Sequence, residues 1–161
     1  MQTVYIETSV ISYLTSRPSP MLVTAAHQQM SQEWWDTRRL QFDVFVSPVV
    51  IDEISRGNTA VAKTRLEAVK DLPILTLTES AQELIRALIA EKAFPTKALD
   101  DAAHVAIAAV HSIDYLLTWN CRHIDNAETK PTIRAVCSSN GYACPEICTP
   151  QELMGAEADE G

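Results

Sequence analysis

KALDDAAHVAIAAVHSIDYLLTWN, residues 97–120, is the stretch whose reading decides the fold. Its first part sets two acids, Asp100 and Asp101, at the start of a helix over 99–112 that is rich in small apolar residues. The helix dipole favours acids in that first turn. Adjacent helical positions diverge by about 100°, so only one of the pair aims at a given surface. The second part, DYLLT, is a short apolar run that reads as a buried strand over 115–118, ending at Trp119 and Asn120. A helix feeding directly into a buried strand is half of an α/β unit.

The same alternation extends outward. TVYIET, residues 3–8, is a short strand closed by Glu7 and Thr8, and TSRPSP is a loop. From Met21 to about Arg39, apolar residues recur at helical spacing through Leu22, Ala25, Ala26, Met30, Trp34 and Leu40. Trp34 and Trp35 cannot both face one core, so one packs inside and the other lies under a loop or in a subunit contact. FDVFVS, residues 42–47, is the second strand. SPVVIDEISRG follows with Ser47 as cap, Pro48 at the first helical position and Gly57 as terminator. Asn58 or Thr59 caps the next helix, PILTL (73–77) is a third strand, and Thr78 or Ser80 begins a helix reaching about Lys92. Beyond 120 come turns, a helix over 130–139 ended by Asn140-Gly141, a last strand at 143–148 and a helical turn from Pro150. Strands alternating with helices predict an α/β fold, a three-layer α/β/α sandwich around a mostly parallel sheet of about five strands.

A chain of 161 residues with 47% hydrophobic and 21% charged residues reads as a single globular domain spanning 1–161, with the acidic tail 155–161 expected to be disordered. No apolar run approaches the roughly 18 residues of a membrane span. The N-terminus lacks a basic region before its apolar stretch, which predicts a cytoplasmic protein. Cys121, Cys137, Cys144 and Cys148 match no CxxC pair, so free thiols are expected rather than a disulfide framework or a zinc site. The net charge of −8 argues against a broad basic surface that coats nucleic acid. It leaves open a nuclease built on clustered carboxylates.

In a parallel α/β sheet, strand C-termini and helix N-termini crowd one edge, and ligands bind there. Glu7 closes the first strand, Glu53 lies on the helix after the second, Asp101 opens the helix of the deciding stretch, and Asn120 follows its strand. The four glycines form no phosphate-binding loop, which disfavours a nucleotide fold. A site of oxygens alone suits Mg²⁺ or Mn²⁺. Carboxylates so crowded repel one another unless a cation neutralises them. The chemistry such a site supports is phosphodiester hydrolysis.

YIETSVISYL (5–14), SPVVIDEI (47–54) and DDAAHVAIAAVHSIDYLLTWNCRHI (100–124) together resemble the PIN-domain proteins of the VapC toxin-like group, over about residues 3–154. The resemblance implies Mg²⁺ or Mn²⁺ held by Glu7, Glu53 and Asp101, with Asn120 at a fourth position, and cleavage of single-stranded RNA. It further implies a homodimer and an antitoxin partner; the Trp34/Trp35 helix is a candidate for one of those contacts. The family's usual first acid is aspartate, and the longer Glu7 together with the uncharged Asn120 predicts low activity or a preference for Mn²⁺.

The remaining polar residues have plainer readings. Asp100 serves the helix dipole. His104, one turn past Asp101, reads as a hydrogen-bonded core histidine, and His123 as a loop residue. Thr8, Ser9 and Thr118 are either donors to Glu7 or local caps. Arg17, Arg38, Arg39, Arg56 and Arg122 are available to a phosphate backbone without any being assigned to it. Two other functions stay open: a PIN-like binding or scaffold domain without strong catalysis, and a small-molecule metal hydrolase such as a phosphatase.

Overall fold

The computed structural model describes residues 1–155. In chain order it contains β1 (Thr3–Ile6), α1 (Thr8–Thr15), α2 (Leu22–Thr37), a 3₁₀ turn (Arg39–Gln41), β2 (Asp43–Phe45), α3 (Pro48–Ile54) and α4 (Thr59–Val69). There follow α5 (Glu79–Ala90), α6 (Leu99–Val110), β3 (Tyr115–Leu117), α7 (Lys130–Ser139) and β4 (Glu146–Cys148). The strand order is β2-β1-β3-β4, and every neighbouring pair is parallel. This is the α/β class read from the sequence.

Local chemistry sets the helix boundaries. Ser47 accepts from the Val50 N–H and Pro48 follows it, so α3 starts where its missing donor does no harm. Asn58 caps α4 through the amides of Ala60 and Val61, and Thr78 caps α5 through that of Ala81. Gly57 and Gly141 take φ of +85° and +86° just past α3 and α7, the left-handed conformation that ends helices. Thr149 and Glu152 cap one another's amides in the final turn.

The expected strand over 73–77 does not form a ladder. It meets β2's extension through one parallel bridge, Val46 to Ile74, with Val46 N–H on Pro73 O and Leu75 N–H on Val46 O. Pro73 has no N–H to donate, and the run turns at once into the cap of α5. The sheet therefore has four named strands with that bridge at its β2 edge.

Helix α6 is buried continuously from Ala102 to Ala109, as a helix apolar on every side must be. Its alanines allow α5 to pack against it, while α7 packs on α5. By the right-handed rule for parallel crossovers, α1 and α2 cover one face of the sheet and α6 and α7 the other. The chain leaves β1 toward β2 on one side and places β3 on the other. The sheet order thus reverses between β1 and β3, and the crevice outside their carboxyl ends is where such folds bind ligands.

Among the described residues, no helix is long and apolar enough to cross a membrane. Nearly all of the acidic tail, 156–161, lies outside the described residues. All four cysteines are free, with Cys137 and Cys148 buried and Cys121 exposed. Burial pushes the Cys148 thiol up to about 12. At pH 8 the folded protein is expected to leave Cys137 and Cys148 unlabelled by a thiol reagent while Cys121 reacts, with all four reacting in guanidinium. Rapid labelling of Cys148 in the native protein would contradict this packing.

Candidate active site

Glu7 stands in extended conformation at the junction of β1 and α1, and its N–H bonds to Leu117 O of β3 at 3.0 Å. The residue is only 5% exposed. A buried carboxylate must be paired or hydrogen-bonded. Ser9 Oγ and Thr118 Oγ1 both donate to Glu7 Oε1, the latter at 2.6 Å. Each hydroxyl oxygen in turn accepts a backbone amide, from Trp119 for Ser9 (2.8 Å) and from Asn120 for Thr118 (2.9 Å). Those amides orient the hydroxyls so that their protons go to the carboxylate.

Glu53 projects from the last turn of α3. Its Oε1 accepts from Thr8 Oγ1 at 2.9 Å and from His104 Nε2 at 2.6 Å. His104 is fully buried, and the same Nε2 lies 4.0 Å from Glu7 Oε2. The other ring nitrogen, Nδ1, is 2.6 Å from Tyr5 Oη, which is 2.7 Å from Ser47 Oγ. Burial raises the Glu53 carboxyl, but the hydrogen bond and charge of His104, with Thr8 and Arg56, outweigh it and hold it below its usual value. For His104, burial favours the neutral ring. The hydrogen bond to Glu53 and the charges of Glu7, Glu53 and Asp101 outweigh it, so its value is raised. Burial also lifts Tyr5 well above the ordinary phenol.

Asp101, in the first turn of α6, pairs through Oδ2 with His123 Nδ1 at 3.0 Å. Asp100 turns outward and lies 3.7 Å from Arg56, which also pairs with Asp52. Glu53, Lys97, Asp100 and Asp101 line one concavity of about 370 Å³. A larger groove of about 550 Å³, lined by Tyr13, Gln28 and Gln32 among others, contains none of these acids.

The structure thus brings Glu7 and Glu53 together around His104, and Glu53 and Asp101 together along one wall. Asn120 does something else. Its Oδ1 accepts the His123 N–H at 3.0 Å and its carbonyl accepts those of Ile124 and Asp125, so it shapes the turn that carries His123. Of the other arginines read as open to phosphate, Arg38 bonds Leu153 O and Gln41, and Arg39 lies over the Trp35 ring. Arg56 lies beside the acids, 3.7 Å from Asp100. Three features went unassigned from sequence: Tyr5 as partner of His104, His123 as partner of Asp101, and Thr8 serving Glu53 rather than Glu7. Tyr5 had a signal, since a phenol in the middle of a buried strand needs a partner.

Each of the three carboxylates has one oxygen held by protein donors. The second oxygens, Glu7 Oε2, Glu53 Oε2 and Asp101 Oδ1, accept no hydrogen bond among the described residues. A nearly buried carboxylate with an unbonded oxygen, beside two more acids, fits a hard divalent cation in donor type and in charge. Among the described residues, no three His, Cys, Asp or Glu side chains already stand as a ligating cluster. His104 and His123 are hydrogen-bond partners of Glu53 and Asp101 instead.

A family model described as "PIN domain" matches residues 4–128. VapBC2 from Rickettsia felis, solved bound to a DNA fragment from its promoter, is similar in structure with a TM-score of 0.60 at 11% identity, over 92% of this chain and 98% of that one. VapC20 of Mycobacterium tuberculosis, a toxin that cleaves the sarcin-ricin loop, is similar with a TM-score of 0.58 at 13% identity, over 87% of this chain and 96% of its own. No curated protein sequence matches significantly.

Proposed function

Since this chain belongs to the PIN-domain family, we propose that it is an endoribonuclease that uses Mg²⁺ or Mn²⁺ to hydrolyse phosphodiester bonds of single-stranded RNA. The observation that carries the reading is the set of carboxylates at the β1/β3 switch point, each with one oxygen fixed and one free. Glu7, Glu53 and Asp101 are the residues that hold the cation. When bound, a divalent cation supplies a nucleophile at neutral pH and neutralises charge on the phosphoryl group. Ser9 and Thr118 hold one oxygen of Glu7, Thr8 holds one of Glu53, and His123 holds one of Asp101. Arg56 and Lys97 flank the acids and are placed to meet the RNA backbone. Asn120 contributes by shaping the turn beneath His123.

The likeness to VapBC2 and VapC20 supports a toxin of a toxin–antitoxin pair held by an antitoxin; that it works in the cytoplasm as a homodimer is part of the same proposal. The test is cleavage of a mixed single-stranded RNA with Mn²⁺ or Mg²⁺, with EDTA and Asp101→Asn as controls. Cleavage is expected to require metal and to fall about a hundredfold in the variant, the scale of losing a ligand or its support. A second reading, a PIN-like binding domain with weak or no catalysis, is favoured by the open spacing of the acids and by Asn120 being engaged in its turn. A folded protein that cuts no RNA, or a variant that cuts as well as the parent, would put that reading first.

A further inference from the structure

Helix α3 has only seven residues and cannot be stable by itself. It is tied at both ends to one buried polar chain. At its N-terminus Ser47 Oγ meets Tyr5 Oη of β1, and Tyr5 Oη meets His104 Nδ1 of α6. At its C-terminal turn Glu53 meets His104 Nε2. Tyr5, Ser47 and His104 are each fully buried.

Counting donors gives the chain a direction. Ser47 Oγ accepts the Val50 N–H, so its own proton needs an acceptor, and Tyr5 Oη is the only side-chain oxygen bonded to it among the described residues. Tyr5 then donates to His104 Nδ1, which leaves the ring proton on Nε2, facing Glu53. Run the other way, with Tyr5 donating to Ser47, the serine proton would have no acceptor among the described residues.

We propose that His104 is the positioning residue for Glu53: clamped from behind by Tyr5 and Ser47, its Nε2–H fixes Glu53 Oε1 and leaves Oε2 as the oxygen available to the cation. The inference rests on the nuclease reading and assigns a role that none of the metal-holding acids performs. Outer groups of this kind set a ligand's orientation, and removing one weakens metal binding by roughly ten- to a hundredfold.

The test uses two substitutions of similar polarity and opposite reach. His104→Gln can extend an N–H toward the place of Nε2, whereas His104→Asn reaches only as far as Nδ1 and keeps Tyr5 but not Glu53. Mn²⁺ is titrated calorimetrically into the folded, metal-free proteins. Affinity is expected to stay within a few-fold in His104→Gln and to fall about ten- to a hundredfold in His104→Asn. Tyr5→Phe, which retains the ring but frees it from behind, supplies a readout without metal. By nitrogen-15 NMR the His104 Nε2–H of the parent is expected to exchange slowly, and that of Tyr5→Phe at least about tenfold faster. Equal Mn²⁺ affinity in both histidine variants, or unchanged exchange in Tyr5→Phe, overturns the positioning role while the metal site stands. A parent protein that binds no Mn²⁺ overturns the nuclease reading, and the role of His104 with it.

Discussion

Replacing Glu7 by glutamine is expected to lower metal-dependent RNA cleavage by about a thousandfold without unfolding the protein, equivalent to roughly 4 kcal/mol of barrier. Glutamine has the same length, and its carbonyl oxygen can still accept both hydroxyl protons, from Ser9 and Thr118. What it lacks is charge. Glu7 is the most buried of the three acids and has no histidine within hydrogen-bond distance, since His104 Nε2 stands 4.0 Å from it. On the proposed reading the cation would therefore be its principal counter-charge. Glu7→Asp separates charge from reach. The carboxylate remains but retracts by one methylene from the two hydroxyls that fix it, and a loss of about tenfold is expected. Initial rates at saturating Mn²⁺, with circular dichroism to confirm the fold, decide the matter. If Glu7→Gln cuts within threefold of the parent, Glu7 is not a ligand. If Glu7→Asp is faster than the parent, the long arm is a defect and not an adaptation to Ser9 and Thr118.

The parts of this site that sequence made legible are those governed by local rules. Glu7 could be placed because an acid ending an apolar strand in a parallel sheet has one edge to go to, and Asp101 because a helix N-terminus lies at that same edge. Asp100 and Asp101 diverge as helical geometry requires, one toward Arg56 in solvent and one toward His123. The cap at Ser47 and the terminator at Gly57 follow from backbone chemistry alone. Contacts across the sheet were not legible. Tyr5 and His104 are 99 residues apart, and only the β1–β3 pairing and the packing of α6 bring them into contact. The same pairing, Ile6 opposite Leu117, sets Glu7 beside Thr118, so the choice between Thr8, Ser9 and Thr118 as its donors could not be made before the register was known. Thr8 and Ser9 are neighbours and diverge at the start of α1, which is why one serves Glu53 and the other Glu7. The run at 73–77 misled for a different reason. Its composition is that of a strand, but Pro73 and the nearby cap at Thr78 leave room for a single bridge.

The tandem tryptophans give the largest expected effect on stability. Trp34→Ala should cost about 3–5 kcal/mol, the range for emptying a core site of a large aromatic ring. For a chain of this size that lowers Tm by on the order of 10 °C. Trp34 has no exposed surface and stacks on Phe42 at 6.0 Å, and Phe42 meets the Tyr115 ring at 6.1 Å. The ring thus connects α2 to the approach of β2 and through it to β3, so its removal loosens the sheet whose β1 end carries Glu7. Trp35 is half-buried at the margin of the core, with the Arg39 guanidinium 4.1 Å from its ring centroid. A cation–π contact in that setting contributes roughly 0.5–1 kcal/mol, so Trp35→Ala should shift the monomer's Tm by only a few degrees. Thermal unfolding of the two variants, repeated over a range of protein concentration, separates packing from association. A subunit contact at Trp35 would make the Trp35→Ala deficit grow as the parent is concentrated, because a dimer stabilises only the chain that still forms it. Equal losses in the two variants at every concentration would mean that the core does not end at Trp34, and the assignment of inward and outward faces on α2 would have to be reversed or shared.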